Sequence, residues 1–88
     1  MQKTFTIKGR VQGVFFRKYT KEKAMSLGLQ GFVQNHADGS VFCCAEGTEE
    51  QLNELQAFLH SGSPLSRVDE VIEQDTTTEI LSSDFQIR

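Results

Sequence analysis

The residues best suited to chemistry lie in one short stretch, Gly9-Arg10-Val11-Gln12-Gly13-Val14-Phe15-Phe16-Arg17. An alternating run ends there, a glycine turns the chain, and a helical period begins at an arginine. At such a strand–loop–helix junction the first N–H groups of the helix have no intrahelical acceptor, and the aligned peptide dipoles place partial positive charge there. A concave set of amides of this kind binds phosphate-like anions. Arg17 would add a planar fork of donors matched to two phosphoryl oxygens. Each piece also has a plain structural use: Gly13 serves a turn, Arg17 is a solvated first-turn arginine slightly opposed by the helix dipole, and Phe15 and Phe16 are core. The second candidate is Asn35, an amide at the end of a strand just before an Asp-Gly turn. It either caps that turn or, with donors and an acceptor on one side chain, holds a water molecule. The other polar candidates carry less. His36 sits beside the turn and is expected to be exposed, His60 falls at a helix C-terminus, and Asp38 is a turn residue. No carboxylate pair is spaced as an acid/base dyad, and no Ser/His/Asp grouping is recognisable.

The elements that must position these residues follow from periodicity. Thr4–Val11 alternates, with Phe5, Ile7, Gly9 and Val11 on one face, as in a half-buried strand. Phe16, Thr20, Ala24 and Leu27 then mark one stripe of a helix over about 17–27, with Gly28 as its stop. Gln30–Asn35 reads as a second strand, His36-Ala37-Asp38-Gly39 as a hairpin turn, and Ser40–Glu46 as a third strand with Val41, Cys43 and Ala45 on one face. Thr48 with Gln51 three residues later is a capping-box signature, and Glu49 and Glu50 suit the positive end of the helix it opens. Leu52, Leu55 and Leu59 form that helix's buried stripe, with Ala57 and Phe58 beside it, and the helix is expected to stop near Gly62, ahead of Pro64. Val68–Glu73 or slightly further is a fourth strand, Thr76-Thr77-Thr78 is loop or strand end, and Phe85 and Ile87 suggest a short last strand. The order β-α-β-β-α-β predicts an α+β, ferredoxin-like sandwich: two helices on one face of an antiparallel sheet, plus the short C-terminal strand.

Composition bounds the rest. Eighty-eight residues with 38% apolar content are expected to form one domain, residues 1–88, with one economical core. Cys43 and Cys44 are adjacent, so on a strand they point to opposite faces and are poorly placed to pair. A disulfide framework and a zinc site are both unexpected. There is no apolar run of membrane-spanning length and no signal-like start, which makes the cytoplasm the expected location. The net charge of −3 divides into +6 over residues 1–37 and −9 over residues 38–88. The acidic total argues against general nucleic-acid binding, whereas the basic first segment either focuses a small anion or loses its asymmetry when the two halves interleave on folding.

Two segments taken together carry a resemblance. Ile7-Lys8-Gly9-Arg10-Val11-Gln12-Gly13-Val14-Phe15-Phe16-Arg17 resembles the first signature of the acylphosphatase family, and Gly31-Phe32-Val33-Gln34-Asn35-His36-Ala37-Asp38-Gly39-Ser40-Val41, followed by Gly47, resembles the second. The resemblance covers essentially the whole chain. It implies a hydrolase that cleaves the carboxyl–phosphate anhydride of acyl phosphates with water as nucleophile, needs no metal or other cofactor, and acts on a small-molecule substrate, with inorganic phosphate as product and competing ligand; nothing in the sequence demands more than a monomer. It implies Arg17 as the phosphate-binding arginine, Asn35 as the residue that orients the water, and the backbone amides of Gly13, Val14, Phe15, Phe16 and Arg17 as the cradle. The acyl group is left open among acetyl, carbamoyl and glyceroyl phosphates. Cys43-Cys44 and Ser63-Pro64-Leu65-Ser66 read as ordinary variation away from the site.

Three rival readings share the fold. One is a non-catalytic anion-binding regulatory module. Another is an acylphosphatase-like domain of a larger enzyme that handles a carbamoyl-phosphate-type intermediate; where this chain starts and finishes favours a stand-alone domain. The third is a single-stranded RNA binder, which needs aromatic rings exposed on the sheet. It is disfavoured because Tyr19 falls in a helix and the strand phenylalanines mostly fit core positions.

Overall fold

The structure is a computed structural model that describes residues 1–75 and 83–88. It contains β1 (Gln2–Arg10), α1 (Phe16–Ser26), β2 (Gln30–Asn35), β3 (Val41–Glu46), α2 (Glu49–Ser61), β4 (Arg67–Asp75) and β5 (Phe85–Ile87). The reading of Thr76-Thr77-Thr78 falls outside the described residues. The strands form one sheet in the order β4-β1-β3-β2-β5. The first four pair antiparallel, as expected, and β5 joins the edge of β2 in parallel.

The alternation read from β1 sets which side of the sheet becomes core. Phe5 lies opposite Cys43, and Cys43 opposite Val33, so one row of the sheet turns these three toward the helices. Ile7, Val41, Ala45 and Phe85 extend the same face, and all seven side chains are buried. From the other layer α1 contributes Phe16 and Ala24, and α2 contributes Leu52, Leu55 and Leu59. Leu27 of the expected α1 stripe packs at the margin of this core, whereas Ala57 of α2 is exposed.

The local start and stop signals act as their chemistry requires. The Thr48 hydroxyl accepts from the Gln51 amide, and the Gln51 side chain accepts in return from the Thr48 amide. Such a reciprocal cap is worth about 1 kcal/mol. Gln51 also donates from Nε2 to the Leu27 carbonyl at 2.7 Å, so the α2 cap holds the end of α1 as well. In the 36–39 turn, the Asp38 carboxylate accepts from both the amide and the hydroxyl of Ser40.

The helix-free face of the sheet differs from the sequence reading. Only Phe5 and Phe85 of the four strand phenylalanines enter the core between the layers. Phe32 and Phe42 project from the opposite face, because they alternate with Val33 and with Val41 and Cys43. Their surfaces are largely taken up by the chain itself: the Arg88 guanidinium lies 3.9 Å over the Phe32 ring, and His36 stacks on Phe42 with centroids 5.1 Å apart. His36 is consequently half-buried. Cys44 is also buried on this side, while Cys43 is in the core, and both thiols are free.

Candidate active site

The loop between β1 and α1 is shaped by two left-handed residues. Gly13 has φ 76°. A Cβ built there would meet nothing within 4 Å, so backbone conformation rather than space calls for glycine. Phe15 has φ 61° and ψ 22° and occupies the N-cap of α1. A bulky residue in this region is a true outlier and costs on the order of 1–3 kcal/mol. The sequence reading puts Phe15 and Phe16 together in the core. The structure separates them: Phe16 is 1% exposed and starts the helix, whereas Phe15 is 67% exposed. The left-handed turn between them sends the two rings to opposite sides.

The N-terminus of α1 is unusually open. Phe15 has no side chain that could cap the helix, and the first turn has no acidic residue. The first helical backbone bond runs from the Tyr19 amide to the Phe15 carbonyl. Among the described residues, no acceptor is found for the amides of Gly13, Val14, Phe15, Phe16, Arg17 and Lys18. Such a run of free donors at the positive end of a helix dipole is chemically suited to an anion.

Long-range hydrogen bonds fix this loop. The Ser63 hydroxyl, buried just after α2, donates to the Val14 carbonyl at 2.8 Å. In a planar trans peptide the N–H points opposite to the C=O, so drawing the Val14 oxygen inward aims the Phe15 amide outward. Ser63 is thus joined to the loop, which corrects the reading of the 63–66 segment as remote from it. Sequence spacing could not reveal a contact across 49 residues. Gln12, which sequence reasoning passed over, donates from Nε2 to the carbonyls of His36 at 2.7 Å and Ser40 at 2.9 Å. It clamps the β1–α1 loop to the hairpin that follows Asn35.

Arg17 is half-buried, and its Nη1 donates to the Arg88 carbonyl at 3.2 Å. The Arg88 amide in turn donates to the Val33 carbonyl at 2.8 Å. This chain of contacts brings Arg17 beside the strand that ends in Asn35. Val33 lies opposite Ile87 in the parallel pairing. Asn35, two residues beyond Val33, shares its face, on the side of the helices. Asn35 is exposed, and no side-chain hydrogen bond to a described residue holds it; the turn is held by Asp38 instead. A cleft of about 300 Å³ lined by Gly13, Phe15, Arg17, Lys18 and Ile87 opens over the α1 N-terminus. His60 is exposed on α2 and lines no part of it.

The acylphosphatase sequence profile matches residues 3–87. The chain belongs to the acylphosphatase family. The acylphosphatase of Actinobacillus succinogenes is 42% identical over 87 residues, spanning 99% of this chain and 97% of that protein. Among solved structures, an acylphosphatase from Bacillus subtilis superposes with a TM-score of 0.93 at 33% identity, covering 99% of this chain and 97% of the other. One from Coxiella burnetii gives 0.92 at 36% identity, covering 99% and 90%. In this acylphosphatase fold the uncapped α1 N-terminus and the end of β2 lie at one end of the sheet, joined through Gln12 and Arg88.

Proposed function

We propose that this member of the acylphosphatase family hydrolyses acyl phosphates to carboxylate and inorganic phosphate at the α1 N-terminus, with Arg17 and Asn35 as its catalytic side chains. The observation that carries the reading is the run of unpaired amides from Gly13 to Lys18 beside the Arg17 guanidinium. Phosphoryl transfer requires mainly positioning and stabilisation of charge on the equatorial oxygens. The amides of Gly13–Arg17 cradle those oxygens, and Arg17 adds fork donors beyond the one spent on Arg88.

Water attacks phosphorus as the bond between phosphorus and the bridging oxygen breaks, and the carboxylate leaves with that oxygen and the bonding pair. A carboxylate needs no proton to depart, so no general acid is required, and no metal is needed to neutralise the leaving group. Asn35 is too weak a base to deprotonate water. It holds the nucleophile in line, and a phosphoryl oxygen takes the proton. The 88 residues act as one domain, a cytoplasmic monomer with a small-molecule substrate and no nucleic-acid partner.

The test is loss of benzoyl phosphate absorbance in EDTA, comparing the parent with folded Arg17→Gln and Asn35→Ala. Arg17→Gln is expected to lose turnover and inorganic phosphate affinity together. Asn35→Ala is expected to lose turnover by on the order of 10²–10³ while keeping phosphate affinity. Unchanged phosphate affinity in Arg17→Gln would remove that residue from the site. A folded parent that hydrolyses nothing would leave the cradle as the binding site of a regulatory module.

A further inference from the structure

Phe15 and Ile87 stand out among the large hydrophobic residues. They are 67% and 41% exposed, lie at opposite ends of the chain, and yet line the same cleft as Arg17. Phe15 also occupies a helix N-cap in left-handed backbone, a position where glycine or asparagine would be unstrained. Its ring serves neither the cap nor the core.

We propose that Phe15 and Ile87 form an acyl-group subsite selecting acyl phosphates with an aromatic or branched apolar acyl group. The inference rests on the proposed hydrolysis and adds the side of the substrate that the cradle does not read. In an acyl phosphate the acyl carbon is joined to phosphorus through one bridging oxygen. When the phosphoryl group sits on the amides beside Arg17, the acyl group must therefore lie within a few ångströms of it, against the walls of the same cleft. Those walls are the Phe15 ring on the loop side and Ile87 on the β5 side, with Lys18 also lining the cleft. The methylene stem of Lys18 can extend the apolar wall while its ammonium stays in water. A flat aromatic acyl group would remove part of the exposed Phe15 and Ile87 surface from water, whereas a methyl group covers little of it.

The experiment measures kcat/KM for benzoyl phosphate and acetyl phosphate, each divided by its uncatalysed rate in the same buffer, in the parent, Phe15→Ala, Phe15→Leu and Ile87→Ala. The benzoyl-to-acetyl ratio is expected to favour benzoyl by about tenfold in the parent, as apolar contacts of this size discriminate. Phe15→Ala should reduce the ratio to near unity, Ile87→Ala should lower it by about threefold, and Phe15→Leu should retain most of it. A ratio that stays within twofold of the parent's in folded Phe15→Ala and Ile87→Ala, with turnover still dependent on Arg17, overturns the subsite and leaves the hydrolytic reading intact. An equal fall on both acyl phosphates also overturns it, because the ring would then be shaping the cradle rather than touching the acyl group. A parent that hydrolyses neither acyl phosphate defeats the hydrolytic reading and the subsite together.

Discussion

Replacing Ser63 with alanine tests how the cradle is aimed. Ser63 is 3% exposed, and its hydroxyl donates at 2.8 Å to the carbonyl of Val14, a residue 4% exposed. Alanine fits the space and removes the donor, leaving a buried carbonyl without this partner. That costs about 1–3 kcal/mol. In a domain of this size, about 2 kcal/mol corresponds to a fall in Tm of roughly 8–16 °C. A purely structural hydrogen bond would stop there. Because the Val14 carbonyl and the Phe15 amide share one rigid plane, releasing the oxygen also frees the amide to swing away from the phosphoryl position. Complete loss of one preorganised donor costs on the order of 10²–10³ in rate; loosening it should cost about tenfold in kcat and weaken inhibition by inorganic phosphate severalfold. The assay is benzoyl phosphate hydrolysis and phosphate inhibition at a temperature at least 15 °C below the variant's own Tm. If Ser63→Ala melts early but keeps kcat and phosphate inhibition within twofold of the parent, the peptide-plane argument is wrong.

Other parts of the structure lend themselves to direct tests. A Cβ on Gly31 would stand 1.9 Å from the Cys44 carbonyl oxygen, at φ 143°; Gly31→Ala is therefore expected to cost about 3–5 kcal/mol in chemical denaturation, and a loss below 1 kcal/mol would contradict the β2–β3 approach. Burial pushes the Cys43 thiol well above its ordinary range, and burial also raises Cys44 against the opposing charge of Arg88. A disulfide reagent at pH 8 should thus find neither thiol in the native protein and both in denaturant; rapid native titration of either would refute this. The hydroxyl of Ser40, then its amide, holds the Asp38 carboxyl below its usual range. A folded-state pKa below the unfolded value stabilises at higher pH and is lost as pH falls through the folded value. The stability gap between the parent and Asp38→Asn should accordingly hold at neutral pH and close below the ordinary carboxylate range; a gap that persists at pH 2 would refute it.

Much of the architecture is legible because its signals are local. The alternation in β1 sets the core face, the Thr48–Gln51 spacing sets the start of α2, and the Asp-Gly turn sets the β2–β3 hairpin. The parallel attachment of β5 has no such signal, since it depends on which sheet edge is free once the other strands have paired. The site divides in the same way. Arg17 and the glycine loop stand out because donors, dipole and turn coincide within a few residues. Ser63, Gln12 and Arg88 do not, because their roles consist of backbone contacts 24 to 71 residues away, which composition and periodicity do not record. Phe15 misleads for another reason: apolarity predicts burial, whereas a single left-handed residue reverses the direction of the ring.

The placement of β1 between β3 and β4 bears on how the chain reaches this form. Its pairing with β4 joins Lys3 to Asp75 and Arg10 to Arg67, so β1 gains its second partner only after most of the chain has been looped back. Closing such loops costs entropy before any contact repays it, and folds dominated by distant pairings form on the order of milliseconds to seconds. The contacts that aim the cradle, from Gln12 to the hairpin and from Ser63 to Val14, also span distant segments and are absent from any partly assembled chain. Anion affinity at the proposed cradle is therefore expected only of the finished molecule. A phosphate ion that binds there draws the folding equilibrium toward the native state by mass action.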